Sequence, residues 1–147
     1  MPIKNYRSTT PASRSIEQIQ TALAKHGASA IAFEYEQGTG RIQALNFKLP
    51  FKNRDVTFSL PVDWRKFQAV LQEQRVSGWR DDDYAYRVAW ANMRDWVLAQ
   101  LAFYETRMVD IPQIFLPYAL TRNGKTVYEH MAEGQQFLLG DGNNDHE

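Results

Sequence analysis

The sequence predicts an α+β fold: an N-terminal helix, a three-stranded antiparallel meander, then a helical C-terminal half with one long helix packed on the sheet. Apolar residues recur at helical spacing before residue 27, alternate between residues 31 and 60, and return to helical spacing after residue 63. The links between the alternating runs are too short for parallel crossovers. The strands are therefore expected to be antiparallel.

The first helix is expected over residues 15–26. Ser15 is placed as its N-cap, and Gln18 three residues later completes a capping box. Gly27 follows the last residue, where a helix commonly ends in a left-handed conformation.

Three alternating runs predict the strands. A turn at residues 37–40 joins the first two strands, and a polar loop at residues 50–55 joins the last two. The residues expected on the buried face are Ile31, Phe33, Tyr35, Leu45, Phe47, Val56 and Phe58. The small residues expected on the outer face, which another element is expected to cover in part, are Ala30, Ala32, Ile42, Ala44, Asn46, Thr57 and Ser59.

The C-terminal half is predicted to hold four helices. One begins after Asp63, and a long helix follows from about residue 82 to residue 107. The long helix has a continuous apolar stripe, so Trp90 and Val97 are expected in the core. Two short helices follow, beginning near Asp110 and Thr126, the second with Glu129 in a capping box.

Composition bounds the class of protein. The chain has 147 residues, 44% of them hydrophobic, which predicts one folded domain over residues 1–139 and a disordered polar tail over residues 140–147. Cysteine is absent, which excludes disulfides, thiolate metal sites and a cysteine nucleophile. No apolar run resembles a signal peptide or a membrane span. A cytoplasmic protein without membrane contact is expected.

The net charge of zero hides a division along the chain. Residues 1–80 carry 12 Lys and Arg against 6 Asp and Glu, whereas residues 81–147 carry 5 against 11. A basic half suggests a surface for a polyanion, and phosphate contacts supply most of the non-specific affinity for nucleic acid. An ordinary solvated surface is the alternative. The candidate nucleic-acid-binding residues are Arg41, Lys48, Lys52, Arg54, Arg65 and Lys66.

No motif indicates catalysis, and we expect neither an enzyme, nor a cofactor, nor a metal. Asp81, Asp82 and Asp83 could hold Mg²⁺, but a helix start explains them through capping and the helix dipole. The three histidines are far apart in sequence. The tryptophans could stack bases, but Trp64 and Trp90 lie on apolar stripes that indicate core packing.

Two resemblances bear on function. The helix–three-strand–helix order is similar to that of the double-stranded-RNA-binding domain, but residues 60–66 lack that family's basic, small-residue motif, so nothing is carried over. The segments PIKNY at 2–6, AKHGA at 24–28, RVAW at 87–90 and FLPY at 115–118 resemble small uncharacterised proteins of bacteriophages and prophages. This resemblance implies a mobile-element origin and a bacterial cytoplasm, and it supplies no catalytic residue.

Two functions therefore remain open. The first is a phage or mobile-element accessory protein that binds DNA, RNA or a nucleoprotein complex through its basic half. The second is a protein-only inhibitor or adaptor, such as an anti-defence factor, that contacts a host or phage protein through its acidic helical half. Salt-sensitive binding to nucleic acid would separate them. The sequence does not give the oligomeric state.

Overall fold

The computed structural model describes residues 1–134, and these residues confirm the α+β architecture. An N-terminal helix precedes an antiparallel sheet of order β1-β2-β3, and helices, including one of 24 residues, pack on that sheet. The expected tail at residues 140–147 lies outside the described residues. The elements are α1 (Ala12–Lys25), β1 (Ala30–Tyr35), β2 (Ile42–Phe51), β3 (Arg54–Pro61), α2 (Trp64–Glu73), α3 (Asp82–Glu105), α4 (Ile111–Phe115), a 3-10 turn (Leu116–Tyr118) and α5 (Val127–Glu133).

The register of the sheet matches the sequence alternation. Phe47 pairs with Ile31 on one side and Phe58 on the other, so the three side chains share one face. Phe47 and Phe58 are 1% and 0% exposed, whereas a slip of one residue would have turned both toward solvent. The expected assignment of faces is therefore confirmed for the centre of the sheet.

Two residues near the end of β1 depart from the expected pattern. Glu34 pairs with Ala44 but Tyr35 pairs with Ile42, so Gln43 is an extra residue, a β-bulge, in β2. The bulge moves Ile42 to the inner face, although alternation had placed it on the outer face. Tyr35 was expected to be buried and is 58% exposed, because the core does not extend to this corner.

Two element boundaries also differ from expectation. The polar loop expected at residues 50–55 is a two-residue turn, because β2 continues to Phe51 and β3 begins at Arg54. Lys52 forms this turn with a left-handed φ of 60°. Helix α1 begins at Ala12 after Pro11, so Ser15 does not cap it. Ser15 is buried, and its hydroxyl accepts a hydrogen bond from Arg94 at 3.4 Å.

The helix starts of the C-terminal half follow the sequence closely. The side chain of Asp63 accepts a hydrogen bond from the backbone N–H of Arg65 at the start of α2. Asp81 does the same for Asp83 at the start of α3. Thr126 and Glu129 form the expected capping box of α5. These local signals need no tertiary contact, because each satisfies backbone N–H groups that a helix leaves free.

The inner sheet face packs against α4 as well as the long helix. The ring of Phe115 in α4 lies 5.2 Å from that of Phe47 and 5.9 Å from that of Phe58, measured between centroids. Trp96 of α3 contacts the other side of Phe115 at 5.9 Å. The sequence predicted the sheet to pack against the first helix and the long helix. Helix α1 instead packs chiefly on α3, and the short α4 fills the space beneath the sheet.

Within residues 1–134, no helix is both long and apolar enough to cross a membrane.

Candidate functional site

The N-terminal half of α3 lies beneath a strap formed by residues 3–8. Asn92 donates a hydrogen bond to the carbonyl of Lys4 at 2.8 Å, and Asn5 donates one to the carboxylate of Asp95 at 2.9 Å. The hydroxyl of Tyr84 also donates to the carbonyl of Tyr6. These bonds hold an otherwise irregular segment along almost three turns of the helix.

The strap helps to explain why α3 is buried on all sides at residues 88–91. Val88 and Ala91 lie on the same side of the helix as the strap-binding residues Tyr84 and Asp95, at spacings of three and four. Both are completely buried, as is Trp90 on the opposite, sheet-facing side. The expectation that Trp90 and Val97 belong to the core is confirmed.

The same side of α3 loses its cover after Asp95. Leu98 and Phe103 are 39% and 48% exposed, and Ala99 and Ala102 between them are exposed as well. We call these four residues the outer face of α3. None of the described residues outside the helix packs over them in the way that the strap packs over Val88. The result is a contiguous apolar surface on the C-terminal half of a helix whose other faces are already packed.

An open groove adjoins the outer face of α3. It lies between α1 and α3, has a volume of about 750 Å³, and includes Leu98 and Ala22 in its walls. Its rim is charged and of mixed sign, with Glu17 and Lys25 on one wall and Asp95 on the other. Burial would raise the pKa of Asp95, but hydrogen bonds from Asn5 and Arg94 outweigh that effect and lower the pKa below its ordinary value. Asp95 is therefore an anchor for the strap and an anion at neutral pH.

Sequence reasoning recognised the buried stripe of α3 and missed the outer face. The signal was present, because Gln100 is the only polar residue between positions 96 and 104. An amphipathic surface helix would have placed several charged residues in such a stretch.

The structure divides the six candidate nucleic-acid-binding cations between the two ends of β3. Lys52 and Arg54 lie at the β2–β3 turn and Lys48 lies opposite Thr57, near the middle of β3; we call these three the hairpin cations. Arg41, Arg65 and Lys66 lie toward the other end, about 23 Å away for seven residues of extended chain. The hairpin cations and Lys66 are exposed and form no ion pair within residues 1–134. Lys52 and Arg54 are thus separated from Arg65 and Lys66 by the length of β3.

Arg41 and Arg65 are both engaged with the protein itself. Their guanidinium carbons lie 4.9 Å and 4.4 Å from the ring centroid of Trp64. Arg41 also pairs with Asp83 at 2.7 Å, and Arg65 holds both carboxylate oxygens of Glu36. Hydrogen bonds from Arg65, and then from Thr39, lower the pKa of Glu36 from 4.5 to about 2. These two arginines stabilise the packing of Trp64 and are poorly placed to release their partners for phosphate.

The acidic residues of the helical half are mostly used inside the fold. Asp81 caps α3, Asp82 accepts a hydrogen bond from Gln68 at 2.9 Å, and Asp83 pairs with Arg41. Glu105 lies 3.1 Å from His26 Nε2. Lys4 pairs with Asp95 at 3.3 Å, so two ion pairs, Lys4–Asp95 and Arg41–Asp83, join the basic and acidic sequence halves within residues 1–134.

The tryptophans offer no platform for bases in this arrangement. Trp64 and Trp90 are buried, and Trp79 and Trp96 are partly buried against the core. Arg80 lies over the ring of Trp79 at 4.7 Å. The core interpretation of Trp64 and Trp90 is therefore confirmed.

No group of three or more His, Cys, Asp or Glu side chains within residues 1–134 is arranged to hold a metal ion. The ring nitrogens of His26 lie within hydrogen-bond distance of two acceptors, the Ala22 carbonyl and the Glu105 carboxylate, and His130 contacts Thr121 and Asn123. His146 lies outside the described residues.

Comparison of the chain with protein-family models, with curated proteins and with solved structures gives no match.

Proposed function

We propose that this chain is a protein-binding adaptor, and that the outer face of α3 holds an amphipathic helix of its partner. The observation that carries the proposal is the uncovered apolar stretch at Leu98, Ala99, Ala102 and Phe103. Contiguous exposed apolar surface bordered by polar residues is typical of interaction sites. Binding of a helix with apolar residues at positions i, i+3, i+4 and i+7 would bury this surface as an ordinary helix–helix contact.

The shape of the surface favours a helix over an extended strand. The outer face of α3 presents only side chains, because the backbone groups of a helix are bonded internally. A strand-like partner would find no backbone donors or acceptors there. Ala99 and Ala102 leave a shallow depression between the larger Leu98 and Phe103, into which side chains of a second helix can insert. The mixed charges at the groove rim add no preference for one sign of partner.

Direct binding of model peptides tests the proposal. The probes are labelled amphipathic helical peptides of roughly 16–20 residues with apolar side chains at helical spacing. We expect micromolar binding by fluorescence anisotropy, with NMR shifts centred on the methyl groups of Leu98, Ala99 and Ala102. Phe103→Glu should weaken binding at least tenfold, because it places a charge in the apolar contact. Tyr128→Glu, at a residue on α5 that is 63% exposed, is the matched control and should bind as the unmodified chain does.

The effect of each variant on peptide binding decides whether the outer face of α3 is the binding site. Equal binding by Phe103→Glu and the unmodified chain would remove the outer face of α3 as the site. Shifts that map to another surface would do the same. Affinity capture from bacterial extract then identifies natural partners as the proteins retained by the chain and by Tyr128→Glu but lost with Phe103→Glu.

Nucleic-acid binding is the second candidate, and the exposed hairpin cations favour it. Three cations free of ion pairs within residues 1–134 would give weak binding. A plot of the logarithm of the association constant against the logarithm of the salt concentration should have a slope between zero and about −3. Lys52→Glu with Arg54→Glu should abolish a mobility shift at low salt, and Lys66→Glu should not. If the unmodified chain gives no shift with DNA or RNA at low salt, this candidate is excluded.

A bacterial cytoplasm and a bacteriophage or prophage origin remain predictions from the resemblance described above. Under that origin, the partner would be a host or phage protein, and an inhibitor such as an anti-defence factor is one form of the adaptor.

A further inference from the structure

One edge of the sheet is open. In the sheet order β1-β2-β3, strand β1 has a neighbour on one side only within the described chain. The far edge of β3 is partly covered, because Ala119 forms a bridge with Phe58 and Leu120 N–H donates to the carbonyl of Thr57 at 2.8 Å. No comparable contact covers β1 within residues 1–134.

The hydrogen-bonding pattern fixes which backbone groups of β1 point to that edge. The two-residue turn makes Phe51 and Arg54 a hydrogen-bonded pair, and every second residue of β2 from Phe51 then bonds to β3. The bond from Val62 N–H to the carbonyl of Gln43 agrees with this parity. The intervening residues of β2, among them Asn46, bond to Ala30, Ala32 and Glu34 of β1. The N–H and C=O groups of Ile31, Phe33 and Tyr35 consequently point outward.

The side chains at this edge are also incompletely covered. Ile31 and Phe33 are only partly buried although they lie on the inner face, and Tyr35 is exposed. Exposed edge strands are usually protected by charged residues, above all Lys, by Pro, by a bulge or by a covering element. Residues 30–35 contain neither Lys nor Pro; their one charged residue is Glu34, and the extra residue of the neighbouring bulge lies in β2, on the side away from the open edge. Six backbone groups and three large apolar side chains are thus available together.

We propose that two copies of this chain associate through antiparallel pairing of their β1 strands, forming a continuous six-stranded sheet. In the register that uses the whole strand, Phe33 lies opposite Phe33 of the second copy, and Ile31 lies opposite Tyr35 of the second copy. Ile31, Phe33 and Tyr35, whose backbone groups point to the open edge, then form three hydrogen-bonded pairs with the second copy. These pairs exchange six N–H···O bonds. All large side chains brought together lie on the inner face.

The charges and the cross-strand side-chain pairs of this register favour a second copy as the occupant. On the outer face this register sets Glu34 opposite Ala32 of the second copy, so no two like charges are directly opposite. The inner face gains an aromatic pair at Phe33 and two pairs of Ile31 with Tyr35, both favourable kinds of cross-strand neighbour. The pairing covers the exposed Tyr35, and it uses a surface separate from the outer face of α3.

Sedimentation equilibrium of the full chain tests the association. We expect a concentration-dependent rise from 17.0 kDa toward twice that mass over micromolar concentrations. Amide hydrogen exchange locates the contact: Ile31, Phe33 and Tyr35 should be protected only at concentrations where the dimer forms. The amides of Ala30, Ala32 and Glu34, which bond to β2, should be protected at all concentrations.

Tyr35→Pro removes one outward N–H and one exposed ring without removing a bond between β1 and β2. It should raise the dissociation constant at least tenfold. Tyr35→Lys, which keeps the N–H but places a cation opposite Ile31, should also weaken the dimer and covers the case in which the proline variant fails to fold. Tyr35→Phe is the matched control and should dimerise normally.

Three results would overturn the proposal. The first is a chain that stays monomeric at about 100 µM. The second is a dimer that tolerates both Tyr35→Pro and Tyr35→Lys. The third is a dimer that dissociates with Phe103→Glu instead, which would assign the association to the outer face of α3.

Discussion

The two halves of α3 share one helical face, and their surroundings differ. In the N-terminal half, Val88 and Ala91 are sealed beneath residues 3–8. In the C-terminal half, Leu98 and Phe103 continue the same face without that cover. The helix itself is uninterrupted across both halves. What changes is the set of residues that border the face.

The bordering residues show what each half is suited to hold. The covered half offers Tyr84, Asn92 and Asp95, whose polar groups bind the strap. An irregular segment needs such partners because its backbone groups are not satisfied internally. On the same face, the uncovered half offers the apolar side chains of Leu98, Ala99, Ala102 and Phe103, which suit an element whose backbone is already bonded. This difference is the reason for proposing a partner helix, and not a loop, as the occupant of the uncovered half.

Replacement of Trp90 should have the largest effect and tests the covered half. Trp90→Ala removes a fully buried indole, and we expect the free energy of unfolding to fall by about 3–5 kcal/mol. Denaturant titration measures the change. A loss below about 1 kcal/mol, the ordinary size of a surface effect, would mean that the helix is not packed on all sides there.

Replacement of Asp95 should have an intermediate effect and tests the strap. Asp95→Ala removes hydrogen bonds to Asn5 and Arg94 and the ion pair with Lys4, so we expect a loss of about 1–2 kcal/mol. Amide exchange should increase most at Val88 and Ala91, which the strap covers. Glu105→Ala, on the uncovered half, is the control and should leave these amides unchanged.

Acid should weaken the ion pair between Glu36 and Arg65, whose guanidinium lies over the ring of Trp64. The folded-state pKa of Glu36 is about 2, below the ordinary 4.5, so the folded chain binds fewer protons than the unfolded chain in this range. Its stabilising contribution is present above about pH 4.5 and is lost as the pH falls toward 2. The melting temperature should therefore drop less between pH 6 and pH 3 in Glu36→Gln than in the unmodified chain. An equal drop in Glu36→Gln and in the unmodified chain would contradict the assignment.

Replacement of Phe103 should have the smallest effect on stability and tests the uncovered half. Phe103→Ala should change the free energy of unfolding by no more than about 0.5 kcal/mol, because the ring is half exposed and covers little. Denaturant titration beside Trp90→Ala gives the comparison directly. A loss close to that of Trp90→Ala would show that Phe103 is a core residue, and the adaptor proposal would lose its surface.

Local patterns determined much of the fold. The alternation around Phe47 and Phe58 set the faces of the sheet, and capping at Asp63, Asp81 and Thr126 set three helix starts. These features depend on neighbours within a few residues, so they can be predicted without knowing what packs where. Two predictions were wrong. Ser15 is not an N-cap, because α1 begins earlier, at Ala12, and Ile42 is not on the outer face, because a bulge shifts the alternation of β2.

Only the tertiary structure decided which surfaces are free. The sequence places Arg41 and Arg65 in the basic half, but not that Asp83 and Glu36 pair with them. The sequence likewise shows the apolar residues of α3, but it does not reveal that the contact between the strap and α3 ends at Asp95. Which face is covered depends on contacts between residues some 80 to 90 positions apart, such as Asn5 with Asp95. The elements and the apolar faces follow from local sequence patterns, whereas the packing of distant segments determines which of those faces are covered within residues 1–134.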